Sequence, residues 1–116
     1  MKDFSITVQI AASPARVWQV MSDVERWPEW TPTVASITRT NAGPLRIGAR
    51  ARIRQRWWRP TDWVVTVLSE GRQFDWETRS VGMRVTAQHL VEPNACGGAR
   101  ATLTVQFKGC LLYTSD

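Results

Sequence analysis

Histidine occurs once in this chain, at His89, and cysteine twice, at Cys96 and Cys110. One imidazole and two isolated thiols make no metal-ligand set, and a cytosolic setting argues for free thiols over a disulfide. Long apolar runs are missing as well. No stretch approaches the roughly 20 apolar residues of a membrane span. Met1-Lys2-Asp3-Phe4 enters a strand directly, leaving no room for a signal peptide, so a cytoplasmic protein is expected. There is no Gly-rich phosphate loop and no zinc motif. No carboxylate pair is placed for acid–base work, and no hydroxyl is spaced with His89 as a nucleophilic set. No cofactor is expected. Linkers, repeats and low-complexity tracts are absent too, which leaves one domain over residues 1–116.

What the chain does have is tryptophan and arginine. Seven Trp in 116 residues is a strong deviation. Each buries about 150–250 Å² yet is seldom swallowed whole by a core, so some rings should border a cavity or its mouth. The net charge is +5, and every basic residue except Lys2 and Lys108 is Arg, which favours anionic partners without naming one.

Hydrophobic periodicity divides the chain. Phe4, Ile6, Val8 and Ile10 alternate as one face of a strand. Ser13 is placed to cap a helix with Pro14 at its first position, and Val17, Val20 and Met21, with Trp18 beside them, form an apolar stripe. Asp23-Val24-Glu25-Arg26 predicts a second short helical turn that stops before Pro28. From Val34 the period drops to 2, with turn signals between strands predicted at 34–39, 48–57, 62–69, 73–80, 83–92 and 99–108. Phe74, Trp76 and Thr78 share a face against Asp75, Glu77 and Arg79. Val85, Ala87, His89 and Val91 oppose Arg84, Thr86, Gln88 and Glu92, while Ala101, Leu103, Val105 and Phe107 oppose polar neighbours. A sheet with one apolar face must be covered by the helices.

The Ala11–Pro32 segment, with its Trp27-Pro28-Glu29-Trp30-Thr31-Pro32 corner, resembles the start of the START-like (SRPBCC) helix-grip superfamily, in particular its polyketide cyclase/dehydrase and lipid-transport branch. Further elements of the pattern are Gly48-Ala49-Arg50, Trp63-Val64-Val65-Thr66, Gly71 to Trp76 and His89 to Pro93. The resemblance implies an α+β helix-grip fold: a curved antiparallel sheet of six to seven strands, two short helices after the first strand, and a pocket closed by a long C-terminal helix. Here only Cys110 to Asp116 follow the last strand. Seven residues make at most about two helical turns, so the lid is expected to be absent or truncated.

The expected pocket is lined by Ile53, Gln55, Trp57, Trp63, Phe74, Trp76, Val85, Ala87, His89, Leu103 and Val105. His89 is read as a hydrogen-bonded wall residue, since its inward neighbours Ala87 and Val91 offer it no catalytic partner. It is still the one weak catalytic candidate, able in principle to polarise a carbonyl or move a proton. Trp57, Trp58 and Trp63 either rim a ligand entrance or plug the sheet end, while Trp18, Trp27 and Trp30 are assigned to packing. Arg50, Arg52, Arg54 and Arg56 share a convex face, read as solvated and paired to acids such as Asp75 and Glu77.

Three functions fit. The first is binding of a small hydrophobic molecule, lipid, sterol-like or polyketide-like, without catalysis. The second is a cyclase/aromatase acting on a poly-β-ketone, with His89 assisting. The third is an interaction module using the Arg-rich face. No nucleic-acid partner is expected, because the residues between the arginines belong to the opposite face. An uncovered groove would expose several hundred Å² of apolar surface and favour self-association.

Overall fold

Alternating apolar residues need a partner on one side only, and the chain meets that need with a single sheet. The computed structural model describes residues 2–56 and 59–109; Trp57, Trp58 and the segment 110–116, on which the expectation about the C-terminal lid falls, lie outside the described residues. The elements run β1 (Lys2–Ile10), α1 (Pro14–Ser22), a 3-10 helix (Val24–Glu29), β2 (Val34–Arg39), β3 (Arg50–Gln55), β4 (Thr61–Ser69), β5 (Gln73–Ser80), β6 (Met83–Pro93) and β7 (Ala99–Gly109). The sheet order is β1-β7-β6-β5-β4-β3-β2, antiparallel throughout, as the helix-grip expectation requires. Consecutive strands from β2 onward are neighbours, and β1 closes onto β7 with Phe4 opposite Val105 and Ile6 opposite Leu103.

The helices cross from one sheet edge to the other on the concave side. Ser13 caps α1, its Oγ accepting from the Arg16 amide at 3.2 Å, and Pro14 opens the first turn. The 3-10 helix runs through Pro28 to Glu29, where the sequence predicts a stop. Its hydrogen bonds pass the proline by: the Arg26 amide donates to Asp23, and the amides of Trp30 and Thr31 donate to Trp27. The missing N–H of Pro28 is therefore never called upon. Two side chains fasten the helices to the sheet. Trp18 Nε1 donates to Glu70 Oε2 in the β4–β5 turn at 2.9 Å, and Glu25 Oε2 accepts the Arg39 amide of β2 at 2.9 Å.

On the convex side the arginine row of β3 is exposed, but its expected partners differ. Arg52 pairs with Asp62 of β4 at 3.7 Å, because β4 separates β3 from the acids of β5. Glu77 is taken by Arg79 at 3.0 Å. Asp75 is buried despite its outward position. A register shift between Val65 and Val67 sets Val67 against it, and Gln73 donates to its carboxylate at 2.9 Å. Burial raises the Asp75 pKa, partly offset by the Gln73 bond.

β1 is held at its far end by the β6–β7 loop. Asn94 donates to Gln9 and to the Ala99 carbonyl, and its Oδ1 accepts the Cys96 and Gly98 amides. A Cβ on Gly98 would run into the Ile10 carbonyl. Gly98→Ala is therefore expected to destabilise the protein by about 1–3 kcal/mol, as overpacking does. Cys96→Ser, exposed in the same loop, should be near neutral. Urea denaturation of both variants checks this, and a silent Gly98→Ala would contradict it.

Candidate functional site

Aromatic rings fill the concave face over β5 and β6. Phe74 is fully buried, with Trp18 edge-on at 6.1 Å between centroids and His89 stacked on it at 4.3 Å and 8°. Trp27 of the 3-10 helix lies 5.4 Å from both Trp76 and His89, and its Nε1 donates to the Met21 carbonyl at 3.0 Å. Trp63 joins at 5.7 Å from Trp76, donating to Thr61 Oγ1. Phe74, Trp76, Ala87 and Ile53 therefore sit in packed core under the helices.

His89 is the titratable centre of this cluster, only 6% exposed. Its Nδ1 lies 3.2 Å from the Phe74 carbonyl oxygen. A carbonyl only accepts, so Nδ1 carries the proton, and the neutral ring presents a lone pair at Nε2. Burial pushes the pKa down from 6.5 to about 4, with the Phe74 bond opposing. A neutral Nδ1–H imidazole has no proton at Nε2 with which to polarise a carbonyl. The rings packed against it come from Trp27, Phe74 and Trp76, none of them charged.

The open apolar surface lies elsewhere, toward β1 and β7. Phe4, Ile6 and Val8 are each about half exposed on the concave side. Between this floor and α1 runs a groove of about 510 Å³. Val8 and Ile10 of β1 and Ala101 of β7 form its floor, Val17, Val20 and Met21 its wall, and Ala12, Arg16 and Trp30 complete its lining. Leu103, half-buried, stands between the groove side and the aromatic cluster, paired to Ile6 on one strand and His89 on the other. Val85 and Val105 are also half-buried, whereas Gln55 is exposed at the end of β3 and Trp57 is outside the described residues. The groove residues Val8, Ile10, Ala101, Val20 and Met21 were absent from the expected lining. The alternation of β1 and the stripe of α1 were both visible in the sequence, but their meeting depends on β1 pairing with β7. Trp30, expected to pack, is half exposed at the groove and 5.8 Å from Trp27.

Comparison with known proteins agrees with this architecture. A family model described as polyketide cyclase/dehydrase and lipid transport matches residues 1–112. No curated protein matches the chain. Among solved structures, a START superfamily protein from Mycobacterium smegmatis superposes with a TM-score of 0.76 at 16% identity, covering 97% of this chain and 81% of that one. Norcoclaurine synthase of Thalictrum flavum gives 0.74 at 11% identity, with 93% and 76% covered. The di-domain ARO/CYC protein BexL of the BE-7585A biosynthetic pathway gives 0.75 at 15% identity, with 94% and 36% covered. Likeness at these identities speaks to the fold alone. No described helix is long and apolar enough to cross a membrane.

The buried imidazole has a pH signature. Below pH 6.5 the unfolded chain takes up a proton at His89 that the folded chain refuses until about pH 4. Stability from this group is therefore constant above about pH 7 and falls on acidification. Wild type is expected to lose about 2–3 kcal/mol more than His89→Gln between pH 7 and 4.5. Asp75, with its raised pKa, works in the opposite sense, losing its contribution as pH rises through the carboxylate range, but it is common to both proteins. Denaturant unfolding at the two pH values measures the difference, and parallel pH slopes would refute it.

Proposed function

The chain belongs to the polyketide cyclase/dehydrase and lipid-transport family, and from that premise we propose that it binds a small hydrophobic molecule on its concave face. The observation that carries this reading is the groove of about 510 Å³ between α1 and the β1–β7 floor, walled by aliphatic side chains with Trp30 beside it. That volume suits a ligand of a few fused rings or a short branched chain. Burial of such a ligand against Val8, Ile10, Val20 and Ala101 is driven by apolar area, at about 25 cal/mol per Å². Arg16, at the solvent side of α1, is the charged residue that borders the groove, placed to meet a carboxylate or other polar end.

The binding reading stands ahead of catalysis because His89 is neutral, bonded to Phe74 and enclosed by rings. It belongs to the packing on which the groove rests. Its ring helps to hold the aromatic cluster in one arrangement, stacked on Phe74 and bonded to the Phe74 carbonyl.

An apolar fluorescent probe such as N-phenyl-1-naphthylamine tests this. Val8→Asp should weaken probe binding at least about tenfold, roughly 1.4 kcal/mol. It should change stability by less than about 1 kcal/mol, because Val8 is half exposed. His89→Phe should leave probe affinity within about twofold. Conversion of a poly-β-ketone that vanishes in His89→Phe while probe binding persists would replace this reading with the cyclase. Probe binding indifferent to Val8→Asp would remove the groove as the site.

A further inference from the structure

The β5–β6 connection is a two-residue turn, Val81-Gly82, with Ser80 opposite Met83. Gly82 supplies the positive φ of 78°. A positive φ at the second position is what such a turn asks for, and it sets no demand for an aliphatic residue at the first. Val81 is at the apex and 99% exposed, so neither turn geometry nor packing accounts for it. Met83 and Phe107, beside it on the concave side, are also exposed.

The convex side of the same sheet end finishes in a row of cations, with the carboxylates of Glu77 and Asp3 one row further in. Arg79, Arg84 and Lys108 stand directly opposite one another across β5, β6 and β7. Like charges in cross-strand register destabilise a sheet. Arg79 is compensated by Glu77, while Arg84 and Lys108 have no carboxylate partner among the described residues. With Ser80, Met83 and Gly109 the three cations line a shallow cleft of about 190 Å³. Exposed Arg56, after β3, and Arg59, before β4, belong to this end too, since β4 runs antiparallel to β5 and β3 antiparallel to β4.

A cation row and a bare aliphatic apex are both accommodated where phosphate groups border hydrocarbon. Nucleic acid would satisfy the row but leave Val81 in water. We propose that this end of the sheet docks on an anionic membrane surface, Arg79, Arg84 and Lys108 meeting lipid phosphates while Val81 enters the headgroup–acyl boundary. Docking there is independent of what occupies the groove.

Co-sedimentation with vesicles of phosphatidylcholine alone, or with 30% phosphatidylserine, is the test. Wild type should bind the phosphatidylserine vesicles and not the neutral ones. Arg84→Gln combined with Lys108→Gln should weaken binding on the order of 30-fold, from about a factor of five per surface cation. Val81→Asp should weaken it about tenfold while retaining the melting temperature, because Asp suits the turn. Probe binding in the groove should be unchanged in all variants, which separates this outcome from failure of the ligand-binding reading. No binding to phosphatidylserine vesicles would overturn the proposal, as would binding indifferent to both changes. Retention on nucleic acid with vesicles ignored would overturn it equally.

Discussion

Packing of Trp18 and Trp27 onto Phe74 decides which half of the concave face is core and which half is left open. A one-sided sheet needs cover, and two short helices cannot cover seven strands. The indoles extend their reach: Trp18 meets Phe74 edge-on, and Trp27 spans Phe74, Trp76 and His89. Each ring also places its N–H on an acceptor, Glu70 for Trp18 and the Met21 carbonyl for Trp27, so burial leaves no orphaned donor. The cover falls over β5 and β6, and toward β1 and β7 a groove stays open beside α1 and Trp30. The groove exists because the aromatic residues are spent on the other side.

The same arrangement explains the electrostatics. Inside the cluster the one ionisable group is kept neutral by desolvation and tied to a backbone carbonyl. On the convex face and at the strand ends Arg52, Arg79 and Arg100 find carboxylates, whereas Arg84 and Lys108 have none among the described residues. The aliphatic groove and this cation row thus lie on opposite faces of one sheet. A ligand in the groove and an anionic surface at the strand ends would not compete for the same side chains.

Much of the fold was legible in the chain because its signals are local. The alternation at Phe74 to Arg79 and the Ser13-Pro14 cap each report geometry within a few residues. The predicted bounds of β2 and β5 coincide with the observed ones, and the others differ by a few residues. Pro28 misled because the preference of the residue before proline disfavours an α-helix, while a 3-10 turn can step over it. Asp75 misled because its burial comes from a register shift in the neighbouring strand, which no periodicity records. The site was legible only in part, for a related reason. His89, Phe74 and Trp76 were correctly placed on the concave face, but whether a concave residue is covered depends on where Trp18 and Trp27 land. The groove at Val8, Ile10 and Ala101 arises from contacts between the two ends of the chain.

On the proposed binding function, an apolar ligand is expected over β1 and β7 against α1, and not among the rings over β5 and β6. Methyl-resolved NMR titration with an apolar ligand such as N-phenyl-1-naphthylamine measures this directly. The largest shift changes are expected at Val8, Ile10, Val20, Met21 and Ala101, with Val65 and Val91, buried in the core, moving little. Large changes at Val65 and Ala87, with Val8 and Ala101 silent, would contradict the account.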